Sequence, residues 1–297
     1  MVDQGYTRTD LACEWGDASE GTRVSEGRWR YGQLQTLQIC HEEAARRLGR
    51  PLGEYITVSC DAIWRLETPK LAELERVVAR VLTRLLQAET GKPPSGDMSV
   101  LVVGLGNAEI TADALGPQSV RKLLITRPLR EQESDVFLRM GCCAVSALAP
   151  GVSGQTGMEV AEIIRGVMQR CKPDAVITVD ALAARSCDRL ASTVQLSNTG
   201  ISPGSGIGNE RCELNRQSLE VPVIAIGVPT VVDSSTLVYD ALHEAQIVEI
   251  DTQLRQILDN GRRFYVAPKE IDMITARASQ LLAHAINLAL VGTIGAS

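Results

Sequence analysis

The chain has 297 residues and a formal net charge of −6 at pH 7, with 44% hydrophobic and 22% charged residues. These proportions predict a globular protein with a sizeable core, and the mild acidity argues against a dedicated nucleic-acid binder, which would present a basic stripe. The sequence shows neither an apolar leader nor an uncharged apolar stretch of about 18 residues, so it predicts no secretory signal and no membrane helix.

The first part of the chain is only weakly patterned. Residues 1–30 are polar, and we predict a flexible or partly ordered lead-in there. Apolar residues recur at helical spacing over 68–88, which predicts an amphipathic helix. Gly and Pro residues over 91–96 predict a linker that ends this helix and separates an N-terminal portion from the rest of the chain.

From residue 99 onward, continuous apolar runs alternate with helical patterns. Such runs predict strands buried on both faces. The predicted strands cover 99–103, 142–147, 175–179 and 222–226, with a short strand near an edge at 193–196. The predicted helices cover 156–171, 235–246 and 268–291. Buried strands separated by helices predict an α/β fold with a mostly parallel sheet and helices on both faces.

Two aspartates follow predicted strands of this core. In open α/β sheets, ligands bind beyond the carboxyl ends of the strands. Asp113 lies in the segment after the first strand, and Asp180 directly follows the 175–179 strand. A carboxylate at the end of an apolar strand is costly to bury unless it is paired or used in chemistry. A helix cap is the alternative role for each aspartate, and position alone leaves both roles open.

Three glycine-rich loops lie near the predicted strand ends. Gly104-Leu-Gly106 follows a strand, but Glu109 occupies the third glycine position of a dinucleotide fingerprint and would oppose a pyrophosphate. The loop 150–157 lacks the Gly-Lys-Ser/Thr of a P-loop. Its backbone N–H groups could bind an anionic or peptide ligand, or it is simply a tight turn and helix cap. The loop 198–209 is long and polar, and is either functional or mobile.

Other catalytic chemistries find little support. The three histidines, His41, His243 and His284, lie away from the predicted strand ends, which argues against a Ser-His-Asp or Cys-His site. No spacing of ligands is typical of a zinc site, and we expect neither a metal nor a cofactor. The eight cysteines form no C-x-x-C pair, which favours buried, reduced thiols in a cytoplasmic protein. Of the catalytic chemistries considered, the one that remains is catalysis by carboxylates.

The chain resembles the germination protease family in seven segments that keep their order. They are Val103–Asn107, Asp113–Pro117, Pro150–Gly157, Asp180–Ser186, Gly200–Asn209, Gly227–Asp233 and Ala267–Asp272. The resemblance implies a phosphorylase-like α/β sandwich similar to the hydrogenase-maturation endopeptidases. It implies an atypical aspartic endopeptidase that degrades small acid-soluble spore proteins during germination. The family's two active-site aspartates fall on Asp113 and Asp180.

The resemblance also implies a zymogen that removes its own propeptide. The family's processing sequence matches Arg8-Thr-Asp-Leu-Ala12, which places the cut between Asp10 and Leu11. We therefore expect a propeptide over 1–10 and a single α/β protease domain over 11–297. Residues 11–95 would be its looser N-terminal portion and 96–297 its core. A merely disordered terminus is the alternative for residues 1–10.

The resemblance further implies a homotetramer in the forespore or spore core. Its partners would be the small acid-soluble spore proteins, with no direct contact to nucleic acid or membrane. The related hydrogenase-maturation enzymes bind nickel through carboxylates and a histidine, but the sequence has no matching strand-end histidine, so we do not predict a metal.

The expected mechanism uses a carboxylate pair. Two carboxylates close together cannot both ionise easily, so one would take a proton from water while the other stabilises the oxyanion. Asn107, Arg185 and Thr230 are further candidates by position. Two other hypotheses stay open: a catalytically silent binding or regulatory module on the same fold, and a nucleotide enzyme, which would need a basic phosphate site.

Overall fold

The computed structural model describes residues 9–15, 20–202, 212–247, 250–260 and 264–292. Residues 1–8 of the predicted propeptide, residues 203–209 of the glycine-rich loop and the side chain of His243 lie outside this description. The strands are β1 Thr22–Trp29, β2 Gly32–Ile39, β3 Gly53–Ser59, β4 Ser99–Gly104, β5 Ala144–Leu148, β6 Ala175–Ala184, β7 Thr193–Ser197, β8 Val223–Asp233 and β9 Tyr265–Val266.

The helices flank this set of strands. They are α1 Glu42–Leu48, α2 Thr68–Thr90, α3 Leu115–Val120, α4 Arg127–Gln132, α5 Ser134–Met140, α6 Ser153–Thr156, α7 Val160–Cys171, α8 Arg216–Leu219, α9 Ser234–Glu244, α10 Thr252–Asn260 and α11 Ile271–Leu290. Short 3₁₀ turns lie at Ala12–Glu14, Ile63–Arg65, Thr111–Asp113 and Cys187–Arg189. No helix in the part of the chain that the structure describes has the length and apolarity needed to cross a bilayer.

The strands form one sheet in the order β1-β2-β3-β7-β8-β6-β4-β5, and β9 pairs with the far end of β8. Strands β5, β4, β6 and β8 are parallel neighbours. Strands β1, β2, β3 and β7 extend this parallel set by antiparallel pairing. The α/β class with a parallel sheet is therefore as predicted, and the N-terminal strands belong to the same sheet as the core.

Both faces of the parallel strands are covered by helices, as predicted. On one face, residues such as Val102 and Ile177 pack against Leu82 of α2 and Leu282 of α11. On the other face, residues that include Leu101 pack against the α7 helix. Alternate residues of one strand thus enter two different cores, which explains why these strands read as continuous apolar runs.

Several strands differ from their predicted bounds. Strand β6 continues to Ala184 because it stays paired with β8, which itself runs to Asp233. Strand β7 is not near an edge, since it lies between β3 and β8. The predicted lead-in was wrong for residues 22–29, which form β1. The central residues of β1 are all exposed, so no apolar alternation marks that strand.

The thiols follow the prediction only in part. All eight cysteines are unpaired, and Cys142, Cys143 and Cys171 are buried, but Cys40 and Cys212 are exposed. Burial raises the pKa of Cys143 to about 11. A buried thiol with a raised pKa is largely protonated at neutral pH and is a poor nucleophile.

Backbone segments touch directly where helix α3 crosses the ends of β4 and β6. A Cβ atom on Gly116 would lie 2.3 Å from the Leu105 carbonyl oxygen and 2.5 Å from that of Val179. A Cβ on Gly104 would lie 2.3 Å from the Gly116 carbonyl oxygen. Only glycine leaves room for this approach, which brings the turn before α3 close to β6.

We expect Gly116→Ala to lower the free energy of unfolding by about 1–3 kcal/mol, because the added methyl group overpacks a contact between backbones. The control is Gly166→Ala in the exposed face of α7, where a Cβ meets nothing within 4 Å. That change should raise the free energy of unfolding by about 0.5–1 kcal/mol, since alanine is the better helix former. Denaturant unfolding measures both, and equal stability of the two variants would contradict the packing described.

Candidate active site

A cavity of about 380 Å³ lies over the sheet near the carboxyl ends of the parallel strands. It brings together both predicted aspartates, Asp113 and Asp180, and also Thr230 and Asp10. All three glycine-rich loops contribute to its wall, through Leu105–Gly106, through Gly151–Val152 and through residues 199–202. The position agrees with the general rule for ligand sites in open α/β sheets.

Asp180 lies in the floor of the cavity, inside strand β6 rather than after it. It is 7% exposed, and its Oδ1 accepts a hydrogen bond from the Ala181 N–H at 2.9 Å. The chain continues as strand beyond it, so Asp180 does not cap a helix. A side chain that interrupts an apolar strand at this depth is costly unless it is used.

Strand β7 supplies a second polar side chain to the same floor. Gln195 pairs with Gly227 of β8, and Gly227 pairs with Asp180 of β6. Residues directly opposite in a sheet present their side chains on the same face. Gln195 and Asp180 therefore share one face on either side of Gly227, and the Leu182 side chain packs over that glycine, with its Cγ 2.7 Å from where a Cβ would lie.

Asp113 reaches the cavity from the 3₁₀ turn Thr111–Asp113. Its Oδ2 accepts a hydrogen bond from the Asn107 N–H at 2.6 Å. Gly106 has a φ of +107°, and a Cβ there would lie 2.9 Å from Asp113 Oδ1, so this position requires glycine on both grounds. The N-cap residue of α3 is Ala114, so Asp113 does not cap that helix.

Thr230 holds the turn that carries Asp113. The threonine is 1% exposed and donates from Oγ1 to the Ala112 carbonyl oxygen at 2.7 Å. Thr275 of α11 donates in the same way to the Thr111 carbonyl oxygen at 3.0 Å. Two neighbouring carbonyls of one turn are thus fixed to β8 and α11, which sets the position of the aspartate.

The other two positional candidates lie differently. The Asn107 side chain does not line the cavity and accepts hydrogen bonds from Gln155 Nε2 and the Glu109 N–H. Asn107 contributes to the site through its backbone N–H. The structure does not bring the exposed Arg185 side chain into this cavity, because β6 continues past Asp180 and places Arg185 at a separate depression.

The segment Thr9–Trp15 lies across the same sheet face. The Asp10 N–H donates to the Ala183 carbonyl oxygen at 2.9 Å, and the Ala183 N–H donates to Asp10 Oδ2 at 2.9 Å. The side chain of Leu11 is fully buried against Leu182 and Val232. Asp10 therefore lines the cavity that contains both candidate aspartates, and the next side chain, Leu11, is buried beside it.

Glu14 is the main anchor of this segment. It is 7% exposed, and its carboxylate accepts from the N–H groups of Arg185 at 2.8 Å and Ser186 at 2.9 Å. Thr9 Oγ1 also donates to it. On the other side, Arg50 Nη2 donates to the Thr9 carbonyl oxygen at 2.6 Å. The segment is thus fixed on both sides of residues 10 and 11.

The sequence contained one signal for this covered face. In β7 the polar residues Thr193, Gln195 and Ser197 alternate with apolar ones, and all five residues are buried. A polar strand face that is buried requires a polar partner. Part of that partner is the N-terminal segment, since the Ala12 N–H donates to Gln195 Oε1 at 3.3 Å.

The two described histidine side chains lie outside the cavity. Neither His41 nor His284 lines it, and His284 Nδ1 instead lies 3.0 Å from Glu75 Oε1, between α11 and α2. Within the described ranges, no three His, Cys, Asp or Glu side chains lie close enough together to hold a metal ion.

The chain is similar to a known protein family, to individual proteins and, more distantly, to a solved structure. The sequence model of the germination protease family matches residues 9–249. The germination protease of Clostridium acetobutylicum is 38% identical to this chain, and the match covers 95% of this chain and 94% of the length of that protein. The germination protease of Priestia megaterium is 40% identical to this chain, and the match covers 81% of this chain and 67% of the length of that protein. Among solved structures, the [NiFe] hydrogenase maturation protease HycI from Thermococcus kodakarensis KOD1 gives a TM-score of 0.36 at 14% identity, covering 70% of this chain and 99% of that one.

We expect Glu14→Ala to release the Thr9–Trp15 segment. The change removes the acceptor of two backbone N–H groups, and an unsatisfied buried group costs about 1–3 kcal/mol. Hydrogen exchange of the amides of residues 10–15 should accelerate, while the exchange of β4 should not change. Glu20→Ala, at an exposed position, is the control. Unchanged exchange in the Glu14 variant would show that this carboxylate does not anchor the segment.

Proposed function

The chain belongs to the germination protease family and is a protease, and on that premise we propose that it is a self-processing zymogen of the atypical aspartic type. It first cuts its own Asp10–Leu11 bond and then degrades small acid-soluble spore proteins. One observation carries the proposal: Asp10 lies in the wall of the cavity that Asp113 and Asp180 also line.

The proposed chemistry needs only the two carboxylates and water. One carboxylate takes a proton from a water molecule, whose oxygen attacks the carbonyl carbon of Asp10. The other carboxyl group is protonated and donates a hydrogen bond to the developing oxyanion. When the C–N bond breaks, a proton passes to the leaving nitrogen of Leu11. The two aspartates titrate as a coupled pair, so neither role belongs to one residue.

The surroundings support this chemistry. The burial of Asp180 in an apolar strand favours the protonated form of one member of the pair. The backbone N–H of Asn107 donates a hydrogen bond to Asp113 Oδ2, which orients this carboxyl group in the cavity. A buried pair of this kind can hold one proton between its two carboxyl groups, which supplies the acid and the base together.

The proposal extends to location, assembly and domain organisation. The protease acts in the spore cytoplasm as a homotetramer, without a metal or cofactor, and its partners are its protein substrates. Residues 1–10 are the propeptide, and residues 11–297 form the protease domain. The competing hypothesis is a catalytically silent binding module on the same fold, which predicts no cleavage at Asp10–Leu11.

We expect Asp113→Asn and Asp180→Asn each to abolish self-cleavage and substrate cleavage, because an amide can neither accept the proton from water nor share a proton with its neighbour. Mass spectrometry of the purified full-length chain should show the loss of residues 1–10 in the native protein only. The same assay with a small acid-soluble spore protein should show cuts after acidic residues.

Asp188→Asn is the matched control, since this exposed aspartate lies eight positions after Asp180 and outside the cavity. It should cleave at the native rate. A folded Asp113 or Asp180 variant that cleaves normally would remove that residue from the mechanism. A native chain that cuts neither itself nor substrate, even when it starts at Leu11, would favour the silent module.

We expect Thr230→Val to slow self-cleavage about 10- to 100-fold, because the turn that carries Asp113 loses one of its two fixing hydrogen bonds and a small displacement of a catalytic group is costly. The free energy of unfolding should fall by only about 1 kcal/mol. Rate measurements and denaturant unfolding on the same preparation separate the two effects. A native rate in this variant would show that Thr230 does not position the aspartate.

A further inference from the structure

We propose that Gln195 is a third catalytic residue, whose carboxamide Nε2 donates a hydrogen bond to the carbonyl oxygen of the peptide bond being cut. Its Oε1 meanwhile binds the backbone N–H two residues further along the same peptide. This inference rests on the proposed function, because it assigns a role in the cleavage of the Asp10–Leu11 bond.

The first observation is an unpartnered donor. Gln195 is 6% exposed, and its Nε2 is buried with no hydrogen-bond partner among the described residues. A buried N–H group without a partner costs about 1–3 kcal/mol, and nearly all such groups in folded proteins are paired. A role in binding a charge that develops only during a reaction would give a physical reason why this unpaired donor is retained.

The orientation of the carboxamide is fixed by its other end. Gln195 Oε1 accepts from Thr57 Oγ1 at 2.8 Å and from the Ala12 N–H at 3.3 Å. A backbone N–H can only donate, so the atom that faces Ala12 is the oxygen and the NH₂ group points elsewhere. Thr57 therefore positions the group without engaging the donor.

The docked segment brings the scissile carbonyl to this donor. Leu11 has φ −87° and ψ 120°, an extended conformation. Around an extended residue, the preceding carbonyl and the following N–H lie on the same side of the chain, as in the i to i+2 hydrogen bond of the inverse γ-turn. A side chain that binds the Ala12 N–H is thus on the side of the Asp10 carbonyl.

The catalytic pair lies on the same side. Gln195 and Asp180 share one face of the sheet across Gly227, and both line the cavity. The Leu182 side chain packs over Gly227, with its Cγ 2.7 Å from where a Cβ there would lie, and the side chain of Leu11 is buried against Leu182. A tetrahedral centre at the Asp10 carbonyl would then have a carboxyl group from β6 and an N–H donor from β7 on either side. The ground-state carbonyl need not touch the donor, because an oxyanion donor is aimed at the position that the oxygen takes in the transition state.

The test compares self-cleavage rates of full-length chains. Gln195→Met keeps the size of the side chain and removes both hydrogen-bonding ends. The first-order rate constant should fall about 10²- to 10³-fold, the usual loss for one oxyanion donor. Thr193→Val is the matched control, because Thr193 lies on the same strand face with an unpartnered buried hydroxyl but outside the cavity. Its rate should stay within about twofold of the native one.

A second change separates catalysis from simple holding of the segment. Ala12→Pro removes the N–H that Gln195 binds. Proline should be tolerated there, because Ala12 is the first residue of a 3₁₀ turn and the residue before it, Leu11, is extended. If Gln195 only holds this N–H, adding Gln195→Met to the Ala12→Pro chain will cause no further fall in the self-cleavage rate constant, and the proposed donor role is overturned. We expect instead that the self-cleavage rate constant of the Ala12→Pro chain falls by a further factor of about 10² when Gln195→Met is added.

Hydrogen exchange of the Asp10, Glu14 and Trp15 amides, whose acceptors are backbone carbonyls, should remain protected in Gln195→Met, since Glu14 and Arg50 still hold the segment. A Gln195→Met chain that cleaves at the native rate while Asp180→Asn is inactive would overturn this inference and leave the proposed function standing. A native chain that cleaves nothing would remove the proposed function and this inference together.

Discussion

Direct contact between backbones at the end of β4 is the constraint on which the site depends. Gly104 and Gly116 allow helix α3 to lie against β4 and β6 with no side chain between them. Gly106 then leaves room for Asp113, which the turn before α3 carries towards Asp180. These glycines follow a strand as they do in a nucleotide-binding fold, but here they make space for protein backbone and a carboxylate rather than for a phosphate.

The N-terminal segment Thr9–Trp15 lies across the sheet face that carries the cavity. The face formed by β3 and β7 carries polar residues at alternate positions. The segment Thr9–Trp15 binds this face through Gln195 and binds β6 through Ala183. Glu14 binds two N–H groups beyond the end of β6. Under the proposed function, one bound peptide serves both as a structural cover and as the first substrate, which places the segment's own bond beside the catalytic pair without any large movement.

The sequence predicted those parts of the molecule in which one local pattern determines the outcome. Continuous apolar runs identified β4 and the first half of β6, because both faces of these strands meet helices. The same reasoning placed Asp180 at a strand end, whereas pairing with β8 carries the strand further. Strand β1 was missed because its exposed residues carry no pattern. Gln195 was missed because its contact with Ala12 joins residues 183 positions apart. Its place on the same sheet face as Asp180 depends on a glycine of a third strand, and neither relation is visible in a local window.

The central claim is that Asp113 and Asp180 act on the Asp10–Leu11 bond of their own chain, and the concentration dependence of self-cleavage tests it most directly. The measurement follows the appearance of chains that begin at Leu11 over a hundredfold range of protein concentration. Cleavage within one molecule predicts one first-order rate constant throughout, because Asp10 already lines the cavity of the same chain. A rate constant that rises in proportion to protein concentration would mean that one molecule cuts another, and would contradict the claim.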